Sequence, residues 1–487
     1  MKGETSRRTG VYLSVHQGDA RKYSSTGTTK QKTDCGELGK RSTDFVILAG
    51  GNGTRTKCSI PKMFQELAGK PLIRYVIDTC HEIISEEQGR IISVVSPHIK
   101  DHELFSDSIT VVQPSPRGTG DAVKHAVPLL DSDVTVILYA DTPLTESSHL
   151  ESLLNDGKDV SFIACRIPDD MMEMPYGRVI TDQQNQFVKI VEYLNANSEE
   201  RACPFANSGI YKIKTDLLRR FIGDITPNKL TNDYYLTDLL TIFVENGVPV
   251  SVIKRDEYWP FHGINTLVDL ARAEEIVQNK LRMKFMNSGV KLLDPKNVYL
   301  AFDTEIDPNV TIEQNVIIKN GVTIRNGACI RAFSYLEECN IMEDAVVGPF
   351  ARIRENTVLG SKSIIGNFVE IKKAVVGESA KIKHLAYIGD AFLGEDTNIG
   401  AGTITCNYDG VRKHDTVIGC NTMIGANCSL IAPIKIGDNA MVAAGSVINK
   451  DVPDETLAIS RTPQQNKIDK APEIINNKRK LSGNTNF

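Results

Sequence analysis

From Ile306 onward the aliphatic residues of this chain recur every six positions: Ile306, Ile312, Ile318, Ile324, Ile330 and Leu336. The register slips, resumes at Val347, Ile353, Leu359, Ile365 and Ile371, and runs again through Ile418, Ile424, Leu430, Ile436, Val442 and Ile448. A helix turns about 100° per residue, so positions six apart lie about 240° round it and make no stripe. Short strands joined by turns accommodate the spacing. Glycine follows many of these residues, as in Leu359-Gly360, Ile365-Gly366, Ile399-Gly400 and Ile436-Gly437. Hexapeptide repeats of this kind signify a parallel β-helix. A single coil cannot bury its inward face alone, so many must stack.

The preceding residues have a different period. Between Asp44 and about Leu270, apolar runs such as DFVILA, RIISVVS, VTVILYA and VSFIAC alternate with helical stretches such as PLIRYVIDTCHEII and GDAVKHAVPLL. This alternation predicts an α/β domain around a mainly parallel sheet, Rossmann-like in layout, with its ligand crevice at the carboxyl ends of the strands. Two segments lie at such ends. One is the glycine-rich LAGGNGTR from Leu48 to Arg55, whose backbone N–H groups suit an anion. The other is LYADTPL, where Asp141 follows the run Val134 to Tyr139. The glycine-rich loop is neither a P-loop nor a dinucleotide fingerprint. Residues 266 to 288 have helical propensity and Gly289 marks a stop, so a connecting helix is expected.

Composition narrows the function. A net charge of −5 argues against a nucleic-acid partner. No apolar run is long enough to predict a membrane helix. Ten cysteines stand singly, without metal-ligand spacing, as expected of reduced thiols in the cytoplasm. The first 43 residues are polar and lack both a signal-peptide core and the acid-poor character of a transit peptide. A disordered extension, or a start codon called too early, is expected there.

The stretches LAGGNGTR, IPK, GTGDA, LYADTPL, YGR, NSG, DYYLTD, GPFARIR, NFVEIKKA, HLAYIGDA, NIGAGTITCNYDG and LAISRTPQ occur in this order. Together they resemble the bifunctional N-acetylglucosamine-1-phosphate uridylyltransferase / glucosamine-1-phosphate N-acetyltransferases of bacterial UDP-N-acetylglucosamine synthesis, from about Asp44 to Arg461. The resemblance implies a nucleotidyltransferase domain followed by a left-handed parallel β-helix, and a homotrimer with sites between subunits. The implied boundaries are an extension at 1–43, a uridylyltransferase domain at 44–265, a linker helix at 266–290, an acetyltransferase β-helix at 291–460 and a tail at 461–487. Substrates would be glucosamine 1-phosphate, N-acetylglucosamine 1-phosphate, UTP and acetyl-coenzyme A.

Nucleotidyl transfer to a sugar phosphate needs no protein nucleophile. The protein must align two polyanions, neutralise them and hold Mg2+. Arg55 and Lys62 supply cations and Asp141 a carboxylate. By resemblance Asp141 and Asn265 are the magnesium ligands, and Gln113, Gly118 and Thr119 read uracil. Leu48, Ala49, Gly50, Gly51, Tyr139 and Ala140 border the nucleotide, while Gly177, Glu192, Asn207 and Asn265 hold the sugar. Acetyl transfer from a thioester requires a neutral amine and therefore a general base, for which histidine is suited. Only His384 falls in a polar stretch of the repeats that matches the family's active site. Arg354 and Lys372, eighteen residues and one coil apart, would grip the sugar's phosphate, with Tyr387, Asn398 and Lys413 around it. Ala401, Asn407, Tyr408, Ala426, Ala444 and Arg461 match positions lining acetyl-coenzyme A. CNYDGVRKHD breaks the hexad and should be a loop.

This chain departs from the family's usual residues at Gly50, Asn52, Leu194, Asn195, Glu355 (commonly proline) and Ala426. Two rival readings are a monofunctional nucleotidyltransferase for another sugar 1-phosphate and a non-catalytic regulatory homologue. His384, Asn407, Tyr408 and Arg461 speak against the first; Arg55, Lys62 and Asp141 speak against the second.

Overall fold

The computed structural model describes residues 42–51, 60–84, 88–229 and 231–482. The expectations for residues 1–41, and those for Asn52 and Arg55, lie outside the described residues. The first layer is a sheet built from β1 (Ser42–Ala49), β2 (Gln88–Val95), β3 (Ile109–Val112), β4 (Val134–Tyr139), β5 (Val160–Arg166), β6 (Arg178–Thr181), β7 (Phe187–Val191), β8 (Phe205–Lys214) and β9 (Val250–Arg255). Its order is β9-β5-β8-β4-β1-β2-β3, with the β6–β7 hairpin attached to β8. β1 runs parallel to both β2 and β4, so the chain ends of three central strands open on one edge.

Alternation explains why these runs stay buried. In β1, Phe45, Ile47 and Ala49 face one apolar layer and Val46 the other. β4 repeats this with Val136 and Leu138 against Ile137. Both faces are therefore covered, as expected of a parallel sheet between helices. The one buried charge in β1 is paired: Asp44 accepts from Arg90 at 3.0 and 2.9 Å and from the N–H groups of Asp131 and Ser132. Burial alone would raise its carboxyl, but Arg90 and these N–H groups hold it below the usual carboxylate range.

The sheet is mainly parallel, as expected, and its antiparallel members are β8 and the β6–β7 hairpin. β8 runs antiparallel to both β4 and β5. Its apolar run reads like the others, because a strand buried on both faces looks the same in either direction.

A helix at Leu267–Asn287 links the two halves. Thr266 and Asp269 form its capping box, and Gly289 follows its end with φ +94°. Gln278 bonds both backbone groups of Leu300, at 2.9 and 2.7 Å, and Arg282 donates to the Val298 carbonyl at 2.9 Å. The helix thereby meets the first coil through satisfied polar groups.

Beyond it, short parallel strands stack coil on coil. Ile306 pairs with Ile324, Ile312 with Ile330 and Ile318 with Leu336, each eighteen residues on. Their side chains form one continuous apolar column. The slip in the six-residue register has a simple origin: many coils hold seventeen residues. Ile324 pairs with Ile341, Ile365 with Ile382 and Ile371 with Ile388, so each such coil has one five-residue side. The glycine after the aliphatic residue is needed because coils approach closely; a Cβ on Gly366 would lie 1.9 Å from the Lys383 carbonyl oxygen. A later coil holds twenty-five residues, from Ile399 to Ile424, because Asn407–Asp415 bulges out as a loop.

The column should be cooperative. Ile371 is fully buried between Ile353 and Ile388. Ile371→Ala is expected to destabilise the β-helix by about 2–5 kcal/mol in urea unfolding followed by circular dichroism. A loss under about 1 kcal/mol would mean that the coils collapse onto the gap.

Candidate functional sites

The first site is a cavity of about 460 Å³ at the carboxyl edge of β1 and β4. Its walls include Leu48, Ala49, Gly50, Gly51, Lys62, Gln113, Gly118, Thr119, Tyr139, Ala140, Asp141, Gly177, Glu192, Asn207 and Asn265. The structure thus gathers into one cavity every described residue expected on nucleotide and sugar. Asp141 is held by its own backbone carbonyl, which accepts from Ile264 N–H at 2.8 Å. Its carboxylate pairs with the Lys62 ammonium, which also donates to Asn265 Oδ1 at 3.0 Å. Asp141 and Asn265 therefore aim two oxygens at one positive centre. A Cβ on Gly263 would stand 3.3 Å from both carboxylate oxygens, a tight contact that glycine avoids.

Asn265 is positioned by the linker helix. Asp269 Oδ2, part of the capping box, accepts from the N–H groups of Asn265 and Thr266 at 3.1 and 2.8 Å. Burial pushes Asp269 up, but His262, Thr266 and Asn265 outweigh it and keep the carboxyl low. His262 Nε2 lies 3.1 Å from Asp269, and its Nδ1 meets the hydroxyls of Tyr176 and Tyr258, each at 2.8 Å.

The far wall is held by equally local bonds. Gln113 donates to the Gly118 carbonyl at 3.2 Å and to Asp121 at 2.8 Å. Gly118 caps the helix Thr119–Ala126, and Thr119 Oγ1 accepts from Leu236 N–H at 3.1 Å. A Cβ on Gly50 would come within 3.0 Å of Gln113 Oε1, so glycine here leaves the carboxamide room. Burial pushes the Glu192 carboxyl up, partly opposed by the hydrogen bond from Thr237 at 3.4 Å. Burial also pushes the Tyr139 hydroxyl to about 12, so it stays a neutral donor. Leu194 is 84% exposed and offers no charge.

The second site lies on the β-helix. Arg354 and Lys372 are cross-coil partners. Arg354 donates to Glu370 at 2.9 Å through Nε and to Glu355 at 2.7 Å through Nη1; Lys372 reaches the other oxygen of Glu355 at 2.9 Å. Lys372 is held above its ordinary range by Glu355 first, while neighbouring Lys372 pushes Lys413 down. Tyr387 pairs with Glu370 on the adjacent coil, and Asn407 donates to Asp390 at 2.6 Å beside the Tyr387 hydroxyl. His384 ends the strand Lys381–His384, three residues before Tyr387, which opens the next strand. Its Nδ1 is 2.8 Å from Asn367 Oδ1. As an Nδ1–H donor it would present the Nε2 lone pair outward. Asn398 stands on the same sheet as His384, beside Lys381, and not on that of Arg354 and Lys372.

Ala401, Ala426 and Ala444 stack at one corner. Asn427 N–H bonds the Ala401 carbonyl at 2.7 Å, and Gly445 N–H bonds that of Ala426 at 2.8 Å. Arg461 completes the column by donating to the Ala444 carbonyl at 2.6 Å. The neighbouring loop carries exposed Tyr408 and is tied by Asp409, which accepts from Val411 and Arg412 N–H and from His414. Those bonds, that of Arg412 N–H first, hold the Asp409 carboxyl at about 2.

Comparison with known proteins bears on both halves. The MobA-like NTP transferase domain matches residues 45–199, and the bacterial transferase hexapeptide, six repeats, matches residues 415–450. A bifunctional protein GlmU of Zymomonas mobilis is 38% identical over 449 residues, covering 89% of this chain and 98% of that protein. One from Wolbachia pipientis is 40% identical over 430 residues, covering 87% and 98%, and one from Ruegeria sp. is 41% identical over 441, covering 89% and 97%. The chain belongs to the bifunctional GlmU family. It is a two-site transferase, with a nucleotidyltransferase half and an acetyltransferase half built on a left-handed β-helix.

Sequence reasoning missed several residues. Thr237 and Tyr235 line the first cavity from within the quoted DYYLTD stretch, and Tyr176 from YGR. Asn367, the partner of His384, opens the quoted NFVEIKKA. The signal was present in the quoted stretches, but the tertiary fold decides which residue of each enters a site, and cross-coil pairing does so for Asn367. Among the described residues no helix is long and apolar enough to cross a membrane.

Proposed function

We propose that the cavity joins UTP to N-acetylglucosamine 1-phosphate, and that the β-helix first acetylates glucosamine 1-phosphate. The observation that carries the first assignment is the convergence of Lys62, Asp141 and Asn265 within the wall of a single cavity. A sugar-phosphate oxygen attacks the α-phosphorus of UTP, the bond to the bridging oxygen breaks, and diphosphate leaves. Asp141 and Asn265 fit a magnesium ion, since both oxygens already face a cation and one carboxylate with substrate phosphates is a common way to hold it. Bound there, the ion neutralises charge on the phosphates. Lys62 adds a second positive charge, and Glu192 and Asn207 orient the sugar. Arg55 is assigned to the same phosphates.

In the second half, the amine nitrogen of glucosamine 1-phosphate attacks the thioester carbon. The C–S bond breaks, the amine proton passes to His384 Nε2 and on to the departing sulfur, and coenzyme A leaves as thiol, with Asn367 holding the ring. Arg354, Lys372 and Lys413 take the sugar's phosphate and Tyr387 its hydroxyls. The alanine column with Asn407, Tyr408 and Arg461 takes acetyl-coenzyme A. Asn398 stands on a different face, which favours the homotrimer, where a second copy completes the site. The domain divisions at 44–265, 266–290 and 291–460 follow these roles. The eight described cysteines are free, which supports a cytoplasmic enzyme.

A coupled assay tests this. Glucosamine 1-phosphate, acetyl-coenzyme A, UTP and Mg2+ should give UDP-N-acetylglucosamine, with free thiol released first. Product formed without acetyl-coenzyme A would overturn the order, and none with all four present would overturn the reading.

A further inference from the structure

The cations assigned to the sugar phosphate, Arg354 and Lys372, converge on the carboxylate of Glu355. One oxygen lies 2.7 Å from Arg354 Nη1 and the other 2.9 Å from Lys372 Nζ. Lys413 adds a third positive charge to its surroundings. Arg354 is steered from its other side by Glu370, at 2.9 Å from Nε and 2.7 Å from Nη2. The backbone explains how the carboxylate comes back over these groups. Glu355 and Asn356 have φ of +49° and +56°, two successive left-handed residues. The Glu355 side chain is 43% exposed, so water and solutes reach the ion pairs.

We propose that Glu355 is an internal counter-anion of the acetyltransferase phosphate clamp, one that an incoming sugar 1-phosphate must displace from Arg354 and Lys372. The inference rests on the reading of those two residues as phosphate ligands. Carboxylate and phosphate oxygens accept from the same N–H groups, so the two compete for one set of donors. A carboxylate left beside the phosphate would also repel it. Glu355 therefore weakens sugar-phosphate binding without touching the thioester or the amine, and its effect belongs in KM and not in kcat.

The test is steady-state acetyl transfer by the full-length enzyme, with glucosamine 1-phosphate varied and thiol release measured. Glu355→Gln is expected to lower KM about three- to tenfold, the range for losing two partly exposed ion pairs. The same variant should bind inorganic phosphate, as an inhibitor, more tightly by a similar factor. Glu355→Gly, which suits the positive φ, should behave alike and so exclude new contacts of the glutamine. An unchanged or raised KM in both variants would overturn the proposal and leave Glu355 as a residue that orders the cations. Arg354→Ala, run in parallel, separates the two readings. If it raises KM while Glu355→Gln does not lower it, only the counter-anion fails. If it leaves KM unchanged, the phosphate assignment fails and takes this proposal with it.

Discussion

Replacing His384 by alanine is expected to slow acetyl transfer about 10²–10⁴-fold, the usual contribution of a positioned general base. The expectation rests on the Nδ1 contact to Asn367 at 2.8 Å, which would fix the ring and leave Nε2 to take the amine proton. Sugar-phosphate binding should suffer less, because Arg354 and Lys372 remain. Raising the pH should partly rescue the variant, since more of the substrate amine is then neutral without help. UDP-sugar formation from supplied N-acetylglucosamine 1-phosphate should be untouched. Thiol release near the wild-type rate at neutral pH would make His384 a surface residue with no part in the chemistry.

Asp141→Ala should have the reciprocal effect. It removes the carboxylate that faces the Lys62 ammonium and that is, with Asn265, one of the two proposed magnesium ligands. Stabilisation of phosphoryl charge by a metal amounts to several kcal/mol, so UDP-N-acetylglucosamine formation should fall by at least about 10²–10³-fold. Thiol release from acetyl-coenzyme A should continue unchanged, because its residues lie on the β-helix. Isotopic exchange of diphosphate into UTP measures the first reaction and thiol release the second. If both fell together in a protein with an unaltered melting curve, the division of labour between the halves would be wrong.

The opposite effects expected of these two substitutions reflect how each site is built. In the first, groups from four separated segments meet at the ends of strands: the β1 loop, Lys62, Asp141 and Asn265. No spacing in the sequence places Asn265 beside Asp141. The link is the capping box of the connecting helix, where Asp269 holds the Asn265 N–H at 3.1 Å. In the second, spacing is nearly sufficient. Parallel coils put residue i beside residue i+17 or i+18, so Arg354 beside Lys372 and Asn367 beside His384 follow from counting once the coil length is known.

The sequence by itself determined the architecture of the second half. A six-residue aliphatic period suits neither a helix nor a long strand, and a column of isoleucine, valine and leucine is the packing that buries it. It also determined that the first half is α/β, because runs buried on both faces between helical stretches have few other solutions. Three things were left to the tertiary structure. Strand direction was one, since β8 has the same apolar run whether parallel or antiparallel. Coil length was another, since one five-residue side in place of six moves every later partner by one position while the local pattern of each strand stays the same. The third was the environment of each charge. In the sequence Glu355 is simply the residue after Arg354, and only two successive left-handed residues bring its carboxylate over Arg354 and Lys372. Hydrophobic periodicity is a local property that survives in the sequence, whereas charge pairing depends on where the chain returns in space.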